Sequence, residues 1–175
     1  IEEFSQSVIT VDLDNDGDVD ILTGDYGSIN WYQNDGLGNF SSNQVICDTI
    51  SGISQVYARD VDNDSLVDIL SASIGEDKIA WYKNLGNGIF GSQQIISINA
   101  DGASNVWAED IDNDNLVDVL SSSLYDNKVA WYKNLGSGSF SAEQLISGNA
   151  AFATYATTAN MDNDSLMDVV YRKGS

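Results

Sequence analysis

The chain has 175 residues, of which 27 are acidic and only 7 are basic, giving a formal net charge of −20. Nucleic acid and anionic membranes repel so acidic a chain, so neither is expected as a partner. There is no histidine, which removes the commonest general base and most zinc sites, and the one cysteine, Cys47, excludes an intrachain disulfide. No apolar run approaches the roughly 20 residues of a membrane-spanning helix, so membrane insertion is not expected.

A nine-residue aspartate-rich window recurs four times along the chain. The windows are DLDNDGDVD, DVDNDSLVD, DIDNDNLVD and NMDNDSLMD, which begin at Asp12, Asp60, Asp110 and Asn160, at intervals of 48, 50 and 50 residues. A second motif, seen as IAWYKNLGNGIF at 79–90, repeats at a spacing of 50 residues. Self-similarity at this period indicates a repeat protein.

The second unit shows which secondary structure the pattern predicts. Apolar residues alternate with small or polar ones at period two, and β-branched and aromatic residues are abundant, as is typical of strands. Short strands are predicted at 55–61, 67–73, 79–84 and 92–97, with the aspartate window between the first two and turns at 75–78 and 85–88. Four antiparallel strands in about fifty residues is the size of a propeller blade.

The predicted fold class is therefore all-β, a β-propeller-type array of four-stranded antiparallel blades with about 3.5 repeats of about 50 residues. The whole of 1–175 is predicted to form one repeat array. Its units are expected at approximately 1–50, 51–100, 101–150 and 151–175, the last being incomplete.

The repeated aromatic residues are predicted to be structural. Each tryptophan is followed by a tyrosine, so one member of the pair should pack between blades while the other faces the opposite side. A core role is favoured over sugar stacking for the tryptophans, and the phenylalanine after each glycine turn is also predicted to lie in the core. The residues are Trp31, Trp81, Trp131, Tyr32, Tyr82, Tyr132, Phe40, Phe90 and Phe140.

Each aspartate window is predicted to be a cation-binding loop. Carboxylates at positions 1, 3, 5 and 9 should converge on one centre while positions 2 and 4 point outward. A hard cation that takes six to eight oxygens suits this arrangement, with a backbone carbonyl at position 7, and calcium is favoured over magnesium. A solvated acidic turn with Asx hydrogen bonds would explain one window, but four windows in register favour the metal.

Up to four calcium ions, one per loop, are therefore predicted. The predicted metal ligands are Asp12, Asp14, Asp16, Asp18 and Asp20 in the first loop; Asp60, Asp62, Asp64, Leu66 and Asp68 in the second; Asp110, Asp112, Asp114, Leu116 and Asp118 in the third; and Asn160, Asp162, Asp164, Leu166 and Asp168 in the fourth.

The four loops are not equivalent. Only the first has glycine at position 6, Gly17, whereas Ser65, Asn115 and Ser165 would adopt a positive φ there at greater cost. Asn160 replaces the first aspartate and removes one formal charge, so the fourth loop is predicted to bind calcium most weakly. Metal is expected to be part of the fold, so that chelation lowers the melting temperature.

The DxDxDGxxD loops, the WYxNxGxGxF strand and turn, and the period of fifty residues together resemble FG-GAP/VCBS repeats, the family that includes the head of integrin alpha chains. The resemblance covers essentially the whole chain. It implies a secreted, extracellular or cell-surface β-propeller, commonly of seven blades, that holds calcium at Asp12, Asp14, Asp16 and Asp20 and at their counterparts. It also implies roles in adhesion, in protein or carbohydrate binding, or as an appendage of a secreted enzyme.

A closed ring of seven blades would need about 350 residues, roughly twice this length. The chain also begins with Ile1 rather than Met, so processing or a longer parent protein is expected. Three arrangements stay open: a piece of a longer propeller, identical chains that complete one another's blades, and an open fibre. The expected partners are therefore copies of the chain or the remainder of a longer propeller, together with a protein or carbohydrate ligand.

Three Asn-X-Ser sequons predict N-glycosylation at Asn39, Asn63 and Asn163. Two of them lie at the outward-pointing fourth position of an aspartate loop, where a glycan and a metal could coexist. Chance occurrence in a sequence rich in asparagine and serine is the alternative.

Two functions from different classes are predicted. The first is a calcium-stabilised extracellular binding or adhesion module, non-catalytic, whose ligand meets loops on one face. The second is a structural subunit of an extracellular filament or surface assembly built through its open blade edges. Catalysis is disfavoured because the clustered carboxylates are accounted for as metal ligands, and no separate nucleophile, histidine or phosphate-binding loop remains.

Overall fold

The computed structural model describes residues 5–164 and 166–174, which form strands joined by turns and bends. Sheet 1 contains β1 (Ser5–Val11), β2 (Asp20–Asp25), β3 (Ile29–Tyr32) and β4 (Gln44–Cys47). Sheet 2 contains β5 (Ile53–Arg59), β6 (Asp68–Ser73), β7 (Lys78–Tyr82) and β8 (Gln94–Ser97). Sheet 3 contains β9 (Ala103–Glu109), β10 (Asp118–Ser123), β11 (Lys128–Tyr132) and β12 (Gln144–Ser147). Sheet 4 contains β13 (Tyr155–Ala159) and β14 (Asp168–Arg172).

Each sheet is antiparallel and its strands follow chain order. This arrangement confirms the predicted all-β array of four-stranded units, and the array is open rather than closed into a ring. The strands of the second unit begin and end within two residues of their predicted bounds. The second strand of sheets 2 and 3 is buried along its whole length because neighbouring sheets cover both of its faces.

A hydrophobic core fills the space between each pair of successive sheets. Trp31 of sheet 1 lies in the same core as Tyr82 of sheet 2, and Trp81 of sheet 2 lies in the same core as Tyr132 of sheet 3. Adjacent Trp and Tyr residues in one strand therefore contribute to different cores, as the alternation of strand side chains requires. The prediction that one member of each pair packs between blades while the other faces the opposite side is confirmed, and in sheets 2 and 3 both members reach a core between sheets.

The glycine turns contact the tryptophan of the preceding sheet closely. Gly88 has a positive φ of 69°, and a Cβ atom there would lie only 2.1 Å from Cζ3 of Trp31. Gly138 is related in the same way to Trp81, where the distance would be 2.7 Å. The second glycine of the repeated turn is thus needed both for its backbone conformation and for the close approach.

The phenylalanine after each turn also packs against the preceding sheet. Phe140 makes an edge-to-face contact with Trp81, with ring centroids 6.2 Å apart, and Phe90 packs in the core that contains Trp31. Phe40 contradicts the prediction that all three are core residues, because its side chain is 47% exposed. Within the described residues no sheet precedes sheet 1, so Phe40 has no tryptophan to cover it.

The first strands of successive sheets lie side by side and are joined by polar side chains. The backbone N–H of Val56 donates to Oγ of Ser7 at 3.2 Å, and that of Val106 donates to Oε1 of Gln55 at 2.8 Å. These side-chain hydrogen bonds take the place of the backbone hydrogen bonds that would join two strands of one sheet. Since each aspartate loop follows a first strand, this alignment places the loops at one edge of the array.

Candidate metal centres

The aspartate windows form the loops between the first and second strands of each sheet. We call them loop 1 (residues 12–20), loop 2 (60–68), loop 3 (110–118) and loop 4 (160–168), each with positions 1 to 9. Position 4 is asparagine in every loop, with φ between 61° and 64°. At position 6, Gly17 has a φ of 94°, Ser65 of 71° and Asn115 of 68°, which confirms the predicted positive φ at this position in loops 2 and 3.

The carboxylate at position 1 holds the turn together. In loop 2, Oδ1 of Asp60 accepts a hydrogen bond from the backbone N–H of Asp64 at 3.1 Å, and Oδ2 accepts one from that of Ser65 at 2.9 Å. Asp12 and Asp110 accept the equivalent bonds in loops 1 and 3. Each oxygen retains a lone pair, so these residues can still bind a cation.

The carboxylate at position 9 is buried at the start of the second strand. Oδ2 of Asp68 accepts a hydrogen bond from the backbone N–H of Val61 at 3.1 Å, and Oδ1 accepts one from that of Asn84 at 2.7 Å. Burial raises the pKa of Asp68 to about 6, although the two backbone N–H groups lower it. Burial likewise raises the pKa of Asp118 in loop 3. A charge at this depth is costly unless a partner compensates it.

Positions 1, 3 and 9 converge in loops 1, 2 and 3. In each loop, one carboxylate oxygen from each of the three residues lies within 4.8 Å of the others. The groups are Asp12, Asp14 and Asp20; Asp60, Asp62 and Asp68; and Asp110, Asp112 and Asp118. Oδ1 at position 3, in Asp14, Asp62 and Asp112, is buried without a hydrogen-bond partner among the described residues. Each loop therefore gathers three carboxylates and leaves one buried acceptor unpaired.

The carboxylate at position 5 has other partners. In loop 2, Oδ1 of Asp64 accepts a hydrogen bond from the backbone N–H of Leu66 at 2.9 Å, and its Oδ2 lies 2.9 Å from Nζ of Lys83. Lys83 also donates a hydrogen bond to Asp62 at position 3. The lysine contacts combine with the backbone bond to lower the pKa of Asp64 despite partial burial.

The same contact recurs in loop 3 and is replaced in loop 1. Nζ of Lys133 pairs with Asp112 and lies 2.8 Å from Oδ2 of Asp114. The corresponding residue of sheet 1 is Gln33, whose Nε2 donates to Oδ2 of Asp14 at 2.6 Å. Position 5 is therefore not part of the three-carboxylate groups. The predicted use of the position 7 carbonyls, in Asp18, Leu66, Leu116 and Leu166, stays a prediction.

The side chains at position 2 of loops 1 to 3 point inward, contrary to prediction. Leu13, Val61 and Ile111 were predicted to point outward, but all three are buried in the cores between sheets. Their backbone N–H groups bind the position 9 carboxylates, which turns the side chains inward. Position 4 agrees with the prediction, since the asparagines there are exposed.

Loop 4 differs from the other three. Asn160 donates a side-chain hydrogen bond to the backbone carbonyl of Asp164. Asp162 accepts a bond from the backbone N–H of Asp164 at 3.0 Å, and Asp168 accepts one from that of Met161 at 2.9 Å. The described part of loop 4 contains no converging group of three carboxylates, and Ser165 lies outside the described residues. The order of affinities among the loops stays a prediction.

A supporting asparagine, which was not among the predicted site residues, lies three residues after each repeated tryptophan. Nδ2 of Asn84 donates to the carbonyls of Leu13 at 2.8 Å and Val67 at 2.9 Å, so that it joins loop 1 to loop 2. Nδ2 of Asn134 joins loop 2 to loop 3 through the carbonyls of Val61 and Val117, both at 2.9 Å. The sequence feature that could have identified this asparagine is its constant position, three residues after the repeated tryptophan.

The donor set of loops 1 to 3 fits a divalent cation. Every donor is a carboxylate oxygen, the ligand type that Ca²⁺ prefers. Two oxygens bound to one calcium ion at about 2.4 Å are at most about 4.8 Å apart, which matches the spread of the observed groups. A cation would also give a partner to the buried Oδ1 atom at position 3.

The predicted glycosylation sites lie on exposed asparagines. Nδ2 of Asn63 donates to the backbone carbonyl of Asn115 in loop 3 at 2.9 Å, and Nδ2 of Asn39 donates to Oδ2 of Asp35 at 2.8 Å. A glycan on Asn63 would therefore replace a contact between two loops. Glycosylation at Asn39, Asn63 and Asn163 stays a prediction.

The fold and these loops define a class of protein, an open array of antiparallel sheets with an acidic loop at the same corner of each. A profile of the FG-GAP-like repeat matches residues 12–71, 60–121 and 110–171. The chain belongs to the FG-GAP-like repeat family, which confirms the resemblance seen in the sequence. Curated protein sequences offer no match.

The chain is similar in structure to an Agrocybe aegerita lectin that is described by its specific recognition of non-reducing terminal N-acetylglucosamine. The TM-score is 0.67 at 16% sequence identity, and the match covers 94% of this chain and 46% of the lectin. The chain thus spans about half the length of that protein. Likeness at this level of identity concerns the fold. No helix in 5–164 or 166–174 is long and apolar enough to cross a bilayer.

Proposed function

We propose that the protein is a calcium-stabilised, extracellular, non-catalytic binding module. The observation that carries this proposal is the recurrence, in three successive loops, of three converging carboxylates with one buried and unpaired oxygen. One calcium ion would bind per loop, held by positions 1, 3 and 9. Up to four ions would bind in all, most weakly in loop 4, where Asn160 replaces an aspartate.

The bound ion would supply positive charge to carboxylates that otherwise repel one another. The residues at position 9, such as Asp68, would gain most because they are fully buried. The groups assemble only when the first and second strands pair, so binding would favour the folded state. Extracellular repeat modules bind calcium at about 10⁻⁴–10⁻³ M, which suits an extracellular location.

A carbohydrate or protein is the proposed ligand. The shared fold with a lectin supports a carbohydrate. A cavity of about 360 Å³ beside loop 1 adds support, because amides, carboxylates and an indole line it, and these groups suit a ligand rich in hydroxyl groups. Its lining residues are Asp14, Asp16, Trp31, Gln33, Gln44 and Asn87.

Thermal melting with and without calcium tests the proposal. We expect about 2 mM calcium to raise the melting temperature by at least about 5 °C over protein in excess EGTA, and magnesium at the same concentration to do so by less. Identical melts under all three conditions would contradict it. A glycan array probed in calcium and in EGTA then tests the ligand, and calcium-dependent binding to a defined set of sugars is the expected result.

A structural role in an extracellular filament or surface assembly is the second candidate. It is supported by exposed apolar side chains of sheet 4 and its loop, since Val170 in β14 is 40% exposed and Met161 in loop 4 is 71% exposed. A further blade would cover these side chains, supplied by the remainder of a longer chain or by another copy. Electron imaging in calcium and after chelation tests this role: regular fibres that dissociate without calcium favour it, and discrete particles in both conditions contradict it.

A further inference from the structure

The three loops with converging carboxylates differ in the residue that follows the repeated tyrosine. That residue is Gln33 in sheet 1, Lys83 in sheet 2 and Lys133 in sheet 3. It occupies the same structural place in each sheet, directly after the third strand, and its side chain contacts the position 3 carboxylate in all three. The substitution exchanges a neutral amide for an ammonium group at an otherwise repeated position.

The two lysines contact the carboxylates of loops 2 and 3 in the same way. Nζ of Lys83 pairs with Oδ2 of Asp62 and Oδ2 of Asp64, and Nζ of Lys133 pairs with the corresponding atoms of loop 3. Only about a third of each lysine side chain is exposed, with values of 32% and 30%. Screening by solvent is therefore weaker here than for an ion pair on an open surface.

The difference between glutamine and lysine at this position changes how much of the negative charge in each loop is compensated. Loop 1 contains five aspartates, and within the described residues no lysine or arginine forms an ion pair with any of them. Loops 2 and 3 contain four aspartates each, and an ammonium group offsets one of these charges. Loop 1 thus has the greatest uncompensated negative charge.

We propose that Lys83 and Lys133 are internal counter-cations that compete with the divalent cation in loops 2 and 3, and that Gln33 leaves loop 1 as the cation site of highest affinity. The inference rests on the proposed function, since it concerns the same cation sites. The ammonium group lies on Oδ2 of the position 3 carboxylate and leaves Oδ1 open, so it opposes a second positive charge at this carboxylate through repulsion. A cation that binds Asp62 must therefore overcome repulsion from Lys83, whereas a cation that binds Asp14 meets only the neutral amide of Gln33.

The same lysine contacts would also stabilise the metal-free protein. Without calcium, the lysines partly neutralise loops 2 and 3, so these loops depend less on metal for stability. Loop 1 has no such support and should respond most strongly to calcium. The repeat would then combine one site that requires the cation with two that tolerate its loss.

Calorimetric titration of Ca²⁺ into the 175-residue chain tests the proposal with three variants. K83Q and K133Q place in loops 2 and 3 the residue that loop 1 already has, and Q33K does the reverse. K78Q is the matched control, because Lys78 lies at the opposite end of β7 and pairs with Glu76 rather than with a loop. It removes the same charge from the protein without removing the contact.

We expect K83Q and K133Q each to raise the affinity of one weaker site about tenfold, and Q33K to lower that of the strongest site about tenfold, because each change removes or adds one positive charge beside the carboxylates. K78Q should change affinity less than about twofold. Affinities in K83Q and K133Q that equal those in K78Q would overturn the inference but not the cation sites. Absence of calcium binding in the wild type and in every variant would overturn both.

Melting of the same variants separates competition from a purely structural role. In EGTA, K83Q should melt at a lower temperature than the wild type because its carboxylates lose their counter-charge. At saturating calcium the two should melt at the same temperature, so calcium produces a larger shift in K83Q. If K83Q lowers the melting temperature equally in EGTA and in saturating calcium, Lys83 has a purely structural role and does not compete with the cation.

Discussion

Loops 3 and 4 have similar sequences but different surroundings. In loop 3, position 9 is Asp118, which is fully buried and accepts hydrogen bonds from the backbone N–H groups of Ile111 and Asn134. In loop 4, position 9 is half-buried and accepts such a bond from Met161. The position 2 residues differ even more, since Ile111 is 8% exposed and Met161 is 71% exposed.

The comparison shows that the nine residues of a window do not complete the candidate site. A following sheet covers position 2. The residue after the third strand supplies a backbone N–H to the position 9 carboxylate and an asparagine side chain to the backbone carbonyl at position 8. Sheet 4 contributes two strands within the described residues, so neither is present around loop 4. The candidate metal centre is a property of two adjacent sheets rather than of one loop.

The largest expected change in the free energy of unfolding comes from shortening the side chain at position 2 of a loop. I111A should lower the free energy of unfolding by about 2–5 kcal/mol, because it leaves a cavity between sheets 3 and 4. M161A should change it by less than about 0.5 kcal/mol, because the side chain is mostly exposed. Chemical denaturation at saturating calcium measures both, and similar losses would show that sheet 4 is covered in solution.

Replacing the asparagine that joins two loops should cause the next largest loss in the free energy of unfolding. N134A leaves the carbonyls of Val61 and Val117 without their donor, which should cost about 2–3 kcal/mol. N34A is the control, because Asn34 donates to the one carbonyl of Val19 at 3.0 Å and lies at a more exposed position. Its cost should be about 1 kcal/mol or less. Equal losses in the free energy of unfolding for N134A and N34A, measured by chemical denaturation, would contradict a bridging role for Asn134.

A smaller effect is expected from pH in protein freed of calcium. The pKa of Asp68 in the folded protein is about 6, above its ordinary value of 3.8, so the folded state holds this proton more tightly than the unfolded state. The resulting stabilisation is complete below about pH 4 and is lost as pH rises through about 6. Calcium removes the effect because it favours the charged carboxylate.

Denaturation at a series of pH values checks this prediction. In calcium-free protein, D68N should flatten the decline in stability between about pH 4 and pH 6.5. A wild-type slope that persists in D68N would assign the decline to other carboxylates.

Much of the fold followed from local patterns in the sequence. Period-two alternation located the strands of the second unit within two residues, since each strand has to bury one or both faces. The spacing of aspartates predicted the convergence of positions 1, 3 and 9. It did not predict that Asp64 turns towards Lys83, because the two residues are separated by two strands and a turn along the chain.

The sequence by itself determined the repeat, its period, the four-stranded unit and the acidic loops, because these depend on residues close together in the chain. Only the tertiary structure decided which residues of neighbouring sheets meet. It buried Ile111, exposed Phe40 and placed Asn84 and Asn134 between successive loops. These contacts join residues up to 73 positions apart, so the stacking of one sheet on the next creates them and a single unit does not.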